Sequence, residues 1–582
     1  MSKPSRQWTR AARLADLKAG GCAVLNLEGR AAALFHTGER IHAVDNRCPH
    51  MGFPLHRGTV QEGILTCHWH HARFDLASGG TFDPWADELQ AFPVEIRDGE
   101  VWVDLTPRAD PCAHHRLRMR DGLEQNLSLV IAKSVLGLLE GCADPVDAFR
   151  IGLEFGARYR RAGWGSGLTI HTAMMNLLAI LDPQDRPRAM YHGLSAVAAD
   201  CAGMAPRFGV RPLPANATEP AVLKAWFRRF IEVRDSEGAE RCLVSAVRSL
   251  ADARQVADML FAAATDHRLL QIGHVLDFIN KAMEALDHAG WEFAEPALAS
   301  LVPGLASADR MEESNAWRHP VNLVSILEAA FEALPAAFEQ GLMRRQTKRE
   351  GAEGLLQVLL GDEAASIAGA LLEALKEGSS AQDLASTVAY AAALRIARFP
   401  TTNEFGDWDS ALHTFTFANA VHQGLRRVSS PELVRGVFDA AMSVYLDRFL
   451  NVPAVRLPEP DGKAASPESM LEELPALLDR QQQVNEAGEL VARFLFAGGD
   501  PDGLRALLGR LLLREDRDFH TIQMCEAAFR QFESRRGTAA GAHVLIAAAR
   551  YLAAHAPTAR AQGQTYLTAC RLHRGERVFE EG

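Results

Sequence analysis

The chain has 582 residues, 48% of them hydrophobic and 23% charged, close to an ordinary soluble protein. That balance excludes wholesale disorder, a collagen-like chain and a coiled-coil rod, and at roughly 150 residues per domain it allows about four domain-sized units. With 62 Lys and Arg against 73 Asp and Glu the net charge is -11, the wrong sign for a nucleic-acid binder. Nine scattered cysteines make no disulfide framework, and no window holds 18 consecutive apolar residues. The N-terminal stretch lacks the apolar core of a signal peptide. These features lead us to expect a cytoplasmic chain with no membrane span and no nucleic-acid partner.

Up to residue 106 the pattern is that of strands. Short apolar runs such as Cys22–Leu27 and Ala31–Phe35 are bounded by glycine and charged residues. Near the end of this stretch, Asp98-Gly99 separates two alternating runs, the chemistry of a type I′ hairpin turn. The polar segment from Thr106 to Pro111 reads as part of a linker, which we place at 107–116.

From residue 117 the period becomes helical. Leu127, Val130, Ile131, Val135, Leu138 and Leu139 share one face, and Asp144-Pro145 supplies an N-cap followed by proline at the first helical position. Long Ala/Leu/Arg/Glu segments continue to the end, and we expect no strand among them. An internal duplication is expected here: Ile170-His-Thr resembles Leu412-His-Thr, and a second set of matches recurs at an offset of 247 residues. The expected organisation is 1–106 as a β domain, 107–116 as a linker, and 117–350 and 351–582 as two similar helical halves. The fold class is thus multidomain, an all-β domain followed by a large all-α region that forms a duplicated helical array.

The chemistry concentrates in Cys48-Pro-His50 and Cys67-His-Trp-His70, separated by 16 residues. Two thiolates and two imidazoles arrive as a C-x-H and a C-x-x-H pair on what would be two facing loops. Cys₂His₂ is also a zinc set, although a zinc finger keeps its two histidines together after its two cysteines. Thiolates hold iron–sulfur clusters, and two imidazoles in place of two thiolates raise the potential of the iron they bind. These residues resemble the Rieske [2Fe–2S] domains. The resemblance runs over about residues 8–105 and includes Arg47, Gly52, Leu55, Gly58 and the run His71-Ala-Arg-Phe-Asp75 to Gly80. It implies antiparallel β architecture, with Cys48 and Cys67 on one iron and His50 and His70 on the other. His68 and His71 are not expected to be ligands.

The resemblance also points to a subtype. Respiratory Rieske domains carry two further cysteines that clamp the loops, whereas this chain has Met51 to Phe53 and His68-Trp69 there. Hydroxyls that bond the cluster sulfurs in that type have no obvious counterpart after His70. The resemblance is therefore to the ferredoxin or oxygenase-associated type, near the low end of the Rieske potential range.

The helical part carries no D/E-x-x-H-x₄₋₅-H run of a ring-hydroxylating oxygenase and no G-x-G-x-x-G after a strand. It does hold twelve histidines, and a helical bundle can build a metal site from side chains on facing helices. The candidate ligands of a second metal are His171, His192, His274, His413 and His422, with His171 and His413 paired by the duplication. His267 and His274 read as two turns apart on one helix. The expected function is an oxidoreductase that takes one electron from a reductase and passes it to a small-molecule substrate site in the helical region or to a docked acceptor protein. The alternative is a non-enzymatic redox carrier or sensor whose helices are a docking scaffold.

Overall fold

The fold is described from a computed structural model, which covers residues 8–27, 30–106, 110–141, 144–214, 219–249, 252–344, 354–459, 467–576 and 578. The chain divides into two compact units, 1–151 together with 561–582, and 152–560. The C-terminal helix Ala561–His573 thus belongs with the N-terminal unit, a division different from the expected halves at 350 and 351.

Among its described residues the first unit contains ten strands: β1 (Trp8–Arg13), β2 (Cys22–Leu27), β3 (Arg30–Thr37), β4 (Arg40–Asp45), β5 (Thr59–Gln61), β6 (Ile64–Thr66), β7 (Arg73–Asp75), β8 (Ala91–Phe92), β9 (Val94–Arg97) and β10 (Glu100–Asp104). They form three antiparallel sheets ordered β1-β10-β9, β2-β3-β4-β8 and β5-β6-β7. Side chains alternate across a strand, so β3 sends Ala32 and Leu34 to one core and Ala33 and Phe35 to another. Burial on both faces is why this strand reads as an unbroken apolar run. The Asp98-Gly99 turn joins β9 to β10 with both residues at positive φ (50° and 76°), as the I′ chemistry requires.

Residues 107–109 of the expected linker lie outside the described residues, and from Pro111 the chain is already helical. Asp110 is the reason: its side chain accepts from the Ala113 N–H (2.8 Å), and proline at the next position has no N–H to lose. Helices Pro111–Glu124 and Ser128–Gly141 follow, and Ala561–His573 packs against the second of them. Cys112 is disulfide-bonded, although the sequence reads as having no disulfide framework.

The second unit is helical, and no strand occurs among its described residues. Many of its helices are apolar nearly all round, Ala381–Ala397 and Ala539–Ala554 among them, which marks them as interior. Helices His274–Ala289 and Phe519–Glu533 each pack against both Ser166–Leu177 and Phe405–Arg427. The two expected His-Thr segments therefore lie on helices of one four-helix group. Among the described residues no helix is long and apolar enough to cross a membrane.

Candidate metal centre

Two loops of the β domain carry the cysteine and histidine pairs. The first follows β4 and is closed on itself: the Cys48 N–H donates to the Phe53 carbonyl and the Gly52 N–H to the Cys48 carbonyl, each at 2.8 Å. Gly52 sits at φ 82°, where a side chain would strain the turn. The second joins β6 to β7, closed by the Cys67 N–H on the Ala72 carbonyl at 2.8 Å, with His71 at φ 63°. A turn this tight turns the residues between its ends outward together.

Cys48 and Cys67 are buried, at 2% and 1% exposure. Their sulfurs lie within hydrogen-bond reach of each other. The shared proton raises the Cys48 thiol and, with the backbone N–H groups of Trp69 and His70, brings Cys67 down to about 6. The backbone N–H groups of His50 and Met51 likewise point at the Cys48 sulfur. Thiolate is the metal-binding form, and these oriented dipoles favour it.

The imidazoles complete the set. The His50 and His70 ring centroids are 4.7 Å apart at 81°, and His50 packs edge-on against Trp85 at 4.7 Å. His50 Nδ1 is buried with no hydrogen-bond partner, an arrangement that costs free energy unless something outside the protein accepts its lone pair. Burial, followed by the neighbouring His70 and Lys133, holds His50 down to about 4, so it is neutral at pH 7. His70 is exposed and leans on Trp69 at 4.4 Å. Two thiols and two imidazoles on two facing loops fit the donor set of a [2Fe–2S] cluster with mixed ligands. His68 instead bonds Thr59, and His71 is exposed.

Sequence reasoning missed the residues that brace the first loop. Lys133, from helix Ser128–Gly141, donates to the Pro49 carbonyl (2.9 Å) and to Asp87 (2.7 Å). Arg118, from helix Pro111–Glu124, holds the other Asp87 oxygen at 2.7 Å. Burial would raise the Asp87 carboxyl, but Lys133 and Arg118 hold it well below the usual carboxylate range. A cleft of about 410 Å³ opens beside this loop, lined by Arg47, Lys133, His114, His115 and His573 among others.

The helical histidines separate into different settings. His171 is fully buried, and a Cβ on Gly152 or Gly193 would meet its ring at 2.5 or 2.7 Å. His192 is buried and brought down to about 3, first by burial and then by Arg188. His422 is buried and takes Gln531 as partner at 3.1 Å. His267 is not on the helix that His274 begins; it bonds Glu312 and Glu232, each at 2.7 Å. His274 and His413 do meet, their Nε2 atoms 3.1 Å apart, and they are joined by His520.

Three comparisons bear on this geometry. Residues 7–93 match the model of the Rieske [2Fe-2S] domain. The ferredoxin component of the naphthalene 1,2-dioxygenase/salicylate 5-hydroxylase systems of Ralstonia sp is 26% identical over 102 residues, 17% of this chain and 98% of that protein. The 3-phenylpropionate/cinnamic acid dioxygenase ferredoxin subunit of Shigella flexneri is 32% identical over 81 residues, 14% of this chain and 76% of that protein. Human apoptosis-inducing factor 3 is 26% identical over 174 residues, 30% of this chain, but the chain covers only 27% of that relative's length.

Proposed function

Residues 7–93 are a member of the Rieske [2Fe–2S] domain family, and on that premise we propose that this chain is a one-electron carrier whose cluster is held by Cys48 and Cys67 on one iron and by His50 and His70 on the other. The observation that carries the assignment is the convergence of two buried thiols and two imidazoles, one with an orphaned buried nitrogen, on two self-closed loops. When bound, the cluster would supply a one-electron couple, and the lack of a hydroxyl counterpart after His70 favours the lower part of the Rieske range.

The protein's own groups do the rest. Backbone N–H groups of His50, Met51, Trp69 and His70 stabilise charge on the two sulfurs. Trp85 packs edge-on against His50 and Trp69 leans on His70, which hold the two rings in place. Lys133 ties the Pro49 carbonyl to the Asp87 carboxylate, so the first loop keeps its shape as the charge of the site changes. His70 is the exposed ligand and therefore the edge at which a partner exchanges the electron.

The Ralstonia and Shigella relatives are ferredoxin parts of dioxygenase systems, which supports a reductase as donor. The acceptor is a site in the helical region or a protein docked on it, since covalent linkage raises the effective concentration of donor near acceptor. The test is anaerobic voltammetry of the full chain. We expect one reversible one-electron wave per chain, absent in His70→Ala. A wave that survives that substitution, or no wave in iron-loaded protein, overturns the proposal.

A further inference from the structure

In the helical unit three histidines from three helices bring their Nε2 atoms together. His274 is the first residue of helix His274–Ala289, His520 the second of Phe519–Glu533, and His413 lies within Phe405–Arg427. His413 Nε2 is 3.1 Å from Nε2 of both His274 and His520, and the three atoms lie within 4.8 Å of one another. All three residues are half-buried, so an ion can reach them from solvent.

Proton placement alone does not satisfy this cluster. In any neutral tautomer His413 Nε2 is a single donor or a single acceptor, while an imidazole nitrogen of His274 and one of His520 each lie 3.1 Å from it. One lone pair or one N–H cannot fully serve both, whereas one cation can accept from all three rings. We propose that His274, His413 and His520 bind one divalent first-row transition ion through their Nε2 atoms, with a coordination position left open for an outside ligand.

The surroundings are those of a ligand set. A carboxylate stands behind one imidazole: Asp409 is 3.9 Å from His520 Nδ1 and is itself fixed by the Tyr551 hydroxyl at 2.7 Å. Such outer partners orient a metal-bound histidine. Phe278 and Phe519 flank His274 at 5.7 and 5.5 Å between ring centroids, an apolar wall on one side. The chain enters His274 through Leu269, Gln271 and Ile272 at φ 40°, 50° and 51°, then Gly273 at 99°. A Cβ on Gly273 would sit 2.9 Å from Phe417, one helical turn from His413. Backbone held in this region persists where the surroundings over-determine it, which is the pattern of a functional site.

Imidazole suits zinc, iron, copper and nickel, and three protein ligands are the number of an open site rather than a closed structural one. Two helices present their N-terminal ends here, which favours an anion such as hydroxide or a carboxylate as the outside ligand. No cluster ligand takes part, and the site stands without the electron-carrier reading.

The test is titration of full-length, chelator-treated protein with Co²⁺, followed by absorption and by metal analysis. We expect one Co²⁺ per chain beyond the cluster iron, displaced by Zn²⁺. His413→Gln and His520→Ala should each weaken uptake roughly 100-fold or more, and Asp409→Asn about 10-fold, with the cluster's EPR signal unchanged. His520 is half-exposed at a helix start, so its variant folds even if the His413 variant does not. Wild-type protein that takes up no Co²⁺, or variants that take it up as well as wild type, overturn the site. Loss of the cluster signal with Co²⁺ uptake intact would instead strike the electron-carrier reading.

Discussion

Replacing Lys133 with Met removes one charge and two hydrogen bonds from beneath the first cysteine loop. The side chains of Lys133 and Asp87 are 20% and 12% exposed, so the pair is largely desolvated. Breaking a fully buried pair costs about 3–5 kcal/mol. Here Arg118 still holds Asp87 at 2.7 Å, which brings the electrostatic loss to about 2 kcal/mol. The Pro49 carbonyl loses its donor as well, for about 1 kcal/mol more. The sum is about 3 kcal/mol in the unit that carries the cluster. With a urea slope of about 2 kcal/mol/M, the midpoint falls by about 1.5 M, read as loss of the cluster's visible circular dichroism in the full chain. The pH dependence follows from Asp87, whose carboxyl is depressed in the folded state. Its contribution is fully present above an unfolded value of about 3.9 and is lost as pH falls through the lower folded value. Wild type and variant should therefore differ by the full amount near pH 7, and the gap should narrow only as pH falls below about 3.9, where far-UV circular dichroism replaces the cluster signal. A midpoint shift at pH 7 below about 0.3 M, corresponding to about 0.6 kcal/mol, refutes the bracing role.

Three further outcomes follow. Gly79→Ala places a Cβ 2.0 Å from the Leu89 carbonyl oxygen at a backbone φ of 80°, and we expect poor cluster loading measured as iron per chain, against normal loading in the open-space control Gly38→Ala. Burial raises Asp277 to about 7, although Lys281 opposes the shift. A raised carboxyl loses stability as pH climbs from its unfolded value to its folded one, so Asp277→Asn should be close to neutral below about pH 4, stabilising by about 1.5 kcal/mol at pH 5 and by up to about 4 kcal/mol at pH 8 in calorimetry of the helical transition. Glu526→Gln leaves buried Lys281 without the carboxylate now 2.7 Å away and should cost about 3 kcal/mol in the same transition, while Lys281→Met with Glu526→Gln recovers part of it.

The cluster loops were legible because their donors are local. Cys48 and His50, or Cys67 and His70, sit within one turn each, and the spacing of a turn is written in consecutive residues. The β9–β10 hairpin was legible for the same reason, through Asp98-Gly99. Asp110-Pro111 carried the same capping chemistry as Asp144-Pro145, but its polar surroundings read as linker. What sequence could not show is pairing over distance. Lys133 lies on an otherwise apolar helix face, 46 residues from Asp87, and nothing local distinguishes a bracing lysine from a solvated one. His520 was not singled out because His413 and His274 lie 107 and 246 residues before it. The return of Ala561–His573 to the N-terminal unit has no local signature either, since an amphipathic helix does not name the surface that will cover it.

The central claim is a [2Fe–2S] cluster held by Cys48, His50, Cys67 and His70. Its most direct measurement is iron and acid-labile sulfide per chain, paired with EPR of the dithionite-reduced full-length protein. The account predicts two sulfides per chain, with two irons in the cluster, and a Rieske signal that vanishes in Cys67→Ser while the far-UV helical signal stays. A chain that carries one zinc and no sulfide at these four residues would contradict it.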